Sequence, residues 1–131
     1  MNEVEFSKLV DAWIVHSAFG LNNDGQKTKC YEEYWWAAEM VMNWKYDDEP
    51  ELLWRFIVEV HMRDAGEKVA GQLAAGPIED LMSEFGESYI QRVEALAGKD
   101  ARFKRTLCGT WQDMMSDEVW ARFQQARTGA C

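Results

Sequence analysis

Apolar residues recur at three-and-four spacing along nearly the whole chain, and no alternating run lasts long enough to read as a strand. The pattern predicts an all-α fold. Asn2 stands where an N-cap belongs, before a helix over about residues 3–18 that sets Phe6, Leu9, Val10, Trp13, Ile14 and Ser17 on one face. Gly20-Leu21-Asn22-Asn23-Asp24-Gly25 reads as a loop, because glycine accepts positive φ and Asx side chains bond back to their own backbone. A second helix is predicted over 28–46. A third, over 50–65, opens on Pro50 behind the acids Asp47-Asp48-Glu49 and carries Leu53, Phe56, Ile57 and Val60 as a stripe. These three helices fit an antiparallel bundle.

Glycines at 66, 71, 76, 86, 98 and 109 divide the second half into predicted helices over 67–75, 77–85, 87–98, 101–108 and 116–127. Asp100 and Ser116 are capping residues for the last two, with Asp117 and Glu118 opposing the helix dipole. The whole of 1–131 reads as a single compact helical domain, its first 66 residues in three longer helices and the remainder in short ones that suit stacked pairs. Trp13, Phe56, Ile57, Val60, Leu81, Ile90, Val93 and Leu107 each occupy an apolar stripe and are expected in the core.

The run Gly76-Pro77-Ile78-Glu79-Asp80-Leu81-Met82, followed by Gly86, Ile90, Val93, Ala97, Phe103 and Leu107-Cys108-Gly109-Thr110-Trp111, resembles a bacterial family of small helical domains of unknown function. The resemblance covers roughly Leu53 to Phe123. It implies a helical fold and brings no activity, substrate or catalytic residue to Glu79, Asp80 or Trp111.

Charge narrows the partners. The chain has 14 Lys+Arg against 23 Asp+Glu, a net −9, whereas nucleic-acid backbones and anionic membranes call for a basic face. No run of about 18 uncharged apolar residues is present, so no membrane span is expected. The start Met1-Asn2-Glu3-Val4-Glu5 is acidic where a signal peptide is basic, which together with sparse cysteines predicts a cytoplasmic protein. Cys30, Cys108 and Cys131 are odd in number and far apart, so free thiols are expected. His16 and His61 lack metal-ligand spacing, and no glycine-rich phosphate loop is present, so neither metal nor cofactor is expected.

Glu79 and Asp80 are adjacent carboxylates, yet in the first turn of a helix begun by Pro77 they read as dipole chemistry. Neither histidine sits beside a nucleophile of matching geometry, and no catalytic residue is assigned. The second helix is more informative. Tyr34, Trp35, Ala38, Val41 and Met42 form one stripe, while Trp36, Met40 and Trp44 recur every fourth residue on nearly the opposite side. A helix apolar all round is either sandwiched in a core or offers its second face to a partner. Residues 31–54 hold seven acids against Lys45 alone, so that face, with the turn after it, suits a basic protein. The sequence thus points to a non-enzymatic protein-binding protein that neutralises a basic partner, a toxin or a nucleic-acid-handling enzyme. An immunity protein, an antitoxin and a phage-type inhibitor act in this way. Trp36, Met40, Trp44, Asp47, Asp48 and Glu49 form its expected surface. A small enzyme assembling acid and base groups such as His61 and Glu79 in the fold is one alternative, and a helical-repeat adaptor is another.

Overall fold

A computed structural model describes residues 1–131, all helical apart from turns and one isolated bridge between Leu21 and Lys27. Their contacts gather into two compact units, Met1–Gln72 and Leu73–Cys131.

The first unit holds α1 (Glu3–Phe19), α2 (Lys29–Asn43), α3 (Pro50–Arg63) and most of α4 (Glu67–Leu73). Asn2 caps α1 by accepting from the Glu5 amide at 2.8 Å, and Pro50 opens α3, where its missing N–H costs no helical bond. Between α1 and α2 the Asn22 side chain accepts from the amides of Asp24 and Gln26, each at 2.9 Å. Gly25 turns there at φ +76°, and Thr28 donates back to the Phe19 carbonyl at 2.6 Å. The three longer helices meet at Phe56, fully buried, which takes Trp13 edge-on at 5.3 Å and Trp44 at 5.6 Å. Outside this core α3 is tied to α1 by Arg55 on Glu3 and by Arg63 on Asp11.

The second unit departs from the predicted string of short helices. Pro77 does not begin a helix. It lies inside a wide π turn, Ala74–Ile78, that leads without interruption into α5 (Glu79–Lys99), so Glu79 and Asp80 stand in the first turn of α5 as expected but follow a helical turn rather than a break. The widened turn fits a residue whose ring would crowd the preceding turn and whose nitrogen carries no hydrogen. Next to Gly86 the expected division is present as a kink: Phe85 has non-helical dihedrals (φ −132°, ψ 19°), so α5 consists of two helical segments joined there. Gly86 also faces α7 (Asp117–Ala126), and a Cβ on it would lie 2.8 Å from Val119 Cγ1. Between them run α6 (Ala101–Thr106), capped by Asp100, and a 3₁₀ turn at Leu107–Gly109. Ser116 caps α7 by accepting from the Val119 amide at 3.1 Å. The core of this unit includes Leu81, Ile90, Val93, Phe103, Leu107 and Phe123. All eight residues expected in the core from the apolar stripes are buried.

Gly86→Ala is expected to destabilise the protein by about 1–3 kcal/mol through overpacking, despite alanine's better helix propensity. In a Val119→Ala background the same change should cost less, and urea denaturation of the two single variants and the double reads that coupling.

Candidate functional site

The structure divides the surface expected on the second helix. Trp36 and Met40 stand 45% and 38% exposed on α2, and Asp47, Asp48 and Glu49 are exposed in the turn beyond it. Trp44 does not join them. It is 5% exposed and packs against Phe56, so it belongs to the core. Helical geometry explains the difference: each fourth-residue step turns about 40° further round the axis, so two steps from Trp36 bring Trp44 towards the inner side. The helix ends at Asn43, three residues before the predicted 46, and Trp44 caps it with its amide on the Val41 carbonyl. The buried face of α2 is Ala37, Ala38 and Val41, rotated from the predicted stripe, and Met42 on that stripe is 50% exposed.

His16, at the end of α1, forms a second feature. Its ring lies 4.7 Å from Tyr31 and 5.8 Å from Trp35, which stack on each other, and Lys27 sits 4.5 Å above Tyr31. His16 Nε2 is buried with no hydrogen-bond partner. Burial among rings disfavours the charged imidazolium and lowers the His16 pKa below its ordinary 6.5.

A third feature was not singled out from the pattern. Residues 110–116, between the 3₁₀ turn and α7, carry Trp111 at 77% and Met114 at 75% exposure. Hydrogen bonds hold the loop along most of its length. Thr110 donates its hydroxyl to the Ala74 carbonyl at 2.8 Å, and the Trp111 amide donates to Glu79 Oε1 at 3.0 Å. The Met114 amide donates to Ser83 Oγ at 3.3 Å, and Gln112 Nε2 donates to the Met115 carbonyl and to Asp117 Oδ1. Arg127 Nη1 donates to the carbonyls of Leu107 and Thr110, closing the stem. The sequence carried two signals here, a stretch after Gly109 with no helical stripe and the end of the family-resembling run at Thr110-Trp111.

The stem is also closed covalently. Cys108 and Cys131 form a disulfide with Cα atoms 5.7 Å apart, which overturns the expectation of three free thiols and leaves Cys30 alone as a thiol. Cysteines 23 residues apart meet here because α7 returns along α5 and brings its far end to the 3₁₀ turn.

Of the residues weighed for catalysis, His61 is buried in the first unit and Glu79, in the second, holds the Trp111 amide. No three His, Cys, Asp or Glu side chains converge as a metal site, and no helix is long and apolar enough to cross a membrane.

Residues 24–131 match a protein family described as "Family of unknown function (DUF6869)", a match that includes the stretch from Leu53 to Phe123 and extends well upstream of it. Searches of curated proteins and of solved structures gave no match.

Three measurements follow from this geometry. Trp44→Ala should cost about 3–5 kcal/mol of stability and Trp36→Ala no more than about 0.5. Because folding lowers the His16 pKa, its stabilising share is whole above 6.5 and is lost as pH falls through 6.5 towards the folded value. Stability should therefore drop more between about pH 7 and 5 in the wild type than in His16→Phe. Thiol titration of the unreduced protein should find Cys30 alone, and Cys131→Ser should cost about 3 kcal/mol, the closure entropy of a loop this long.

Proposed function

The chain belongs to that family of unknown function, from which no activity follows, and we propose that it is a non-enzymatic protein-binding domain that neutralises a basic partner protein. A toxin or a nucleic-acid-handling enzyme is the class of partner proposed, as for an immunity protein, an antitoxin or a phage-type inhibitor. The observation that supports this is the outer side of α2. Its inner side is already buried by Ala37, Ala38 and Val41, yet Trp36 and Met40 remain in water one turn apart. Aromatic and methionine side chains are favoured interface anchors. Around them Glu32, Glu33 and Glu39 on the helix, with Asp47, Asp48 and Glu49 beyond it, are all exposed and would steer a basic protein to the anchors. Trp44 is no part of this surface.

The proposed location is cytoplasmic. Disulfides are rare there, so the Cys108–Cys131 bond bears against it, and alkylation of thiols in intact cells before lysis decides.

For the binding reading, affinity capture should retain a basic protein on the wild type and lose it on a Trp36→Ala, Met40→Ala double variant of unchanged stability. Against that protein, Trp36→Ala should cost about 2 kcal/mol or more in affinity. Neutralising Asp47, Asp48 and Glu49 together should mainly slow association and flatten its salt dependence. Equal retention by wild type and double variant would remove the α2 surface from consideration.

A further inference from the structure

We propose that the loop bearing Trp111 and Met114, with the groove beside it, is a second and independent docking surface, one that takes a short basic segment of another protein bearing a single apolar anchor.

The second unit segregates its charge. Residues 73–91 contain Glu79, Asp80, Glu84 and Glu87 with no lysine or arginine, and residues 106–121 contain Asp113, Asp117 and Glu118 with none. The unit's seven basic residues all lie elsewhere, in 92–105 and at 122 and 127. The two uniformly acidic segments are brought together by the bonds from Trp111 to Glu79 and from Ser83, through its hydroxyl, to Asp113 Oδ2 at 3.2 Å. Their shared face carries these acids and, at one edge beside Glu87 and Glu118, the single base Arg122, which is paired with Glu94. It also holds the two most exposed large apolar side chains of the unit, Trp111 and Met114.

An open groove of 330 Å³ lies beside Met114, its apolar lining Met82, Phe85 and Val119 and its polar lining Glu84, Glu87 and the hydroxyls of Ser83, Ser88 and Ser116. It lies at the α5 kink, where Val119 of α7 packs against Gly86 and forms part of its wall. One apolar side chain fits that groove, while lysines or arginines on either side of it meet Glu84, Glu87 and Asp113.

The loop is ordered before any partner arrives. Its amides and side chains are bonded to α5 and α7, and its stem is held by Arg127 and by the disulfide. Ordering a flexible loop on binding costs affinity, and here that cost is already met in folding. Trp111 and Met114 give little to the fold, since their own side chains face water.

The surface shares no residue with the α2 face, so the two stand or fall separately. The probes are fluorescein-labelled peptides of about 12 residues, lysine and arginine around one central leucine or phenylalanine, titrated by anisotropy at about 50 and 300 mM salt. Matched peptides have serine at the anchor, or glutamate at the basic positions. The basic anchored peptide should bind, weaken with salt, and shift the amide resonances of residues 110–116 and 83–88. Trp111→Ala and Met114→Ala, with unchanged melting temperatures, should each weaken it at least about tenfold, and Trp36→Ala should leave it unchanged. Equal binding of the anchorless or acidic peptide would overturn the proposal. So would indifference to Trp111→Ala with loss on Trp36→Ala, a result that would leave the α2 reading intact. Saturation of the groove by phenyltrimethylammonium as tightly as by the peptide would make it a small-cation site and overturn the proposal as well.

Discussion

The edge-on contacts of Phe56 with Trp13 and Trp44 set the first unit. A fully buried ring that accepts two tryptophans, one from α1 and one from the end of α2, fixes how both helices turn about their axes. Once Trp44 is drawn inward, Ala37 and Val41 must face the same interior, and their small size lets α2 lie close to α1. Trp36 and Met40 are then turned out. The exposed face of α2 follows from how its other end is anchored, and it is narrower than the fourth-residue spacing suggested.

Legibility followed how many structural meanings a residue has. Asn2, Asp100 and Ser116 accept from amides three positions on, and Pro50 fills a first helical position that needs no N–H, so their neighbours identified them and each begins the helix expected of it. The stripes of α3 and α5 were equally plain, since a residue such as Ile57 or Val93 has little option but the core. Gly86 and Pro77 each have a local meaning and a distant one. Gly86 marked the kink at Phe85 as expected, but that it also admits the side chain of Val119 is visible only in the fold. Proline starts helices, and it is also carried within them by a widened turn.

The candidate surfaces were legible to different degrees for the same reason. The acids and tryptophan of α2 declare themselves along one helix, so Trp36, Met40 and Asp47–Glu49 could be named from spacing, and only Trp44 was misplaced. The face around Trp111 is assembled from two segments about 30 residues apart, and its acidity becomes visible only when Glu79 and Ser83 are seen holding the loop. The pairing of Cys108 with Cys131 was likewise set by how helices return upon one another, and spacing along the chain holds no trace of it.

That bond gives the exposed loop a particular tolerance to damage. Trp111–Met114, together with all of α7, lies within the covalent ring closed by Cys108 and Cys131. A protease that cuts the loop between those cysteines opens the ring without releasing either piece. The severed α7 stays tethered beside α5, where Phe123 and Val119 are still buried and Arg122 can still find Glu94. A nicked molecule can therefore keep its core and most of its outline, and only reduction followed by unfolding would part the fragments.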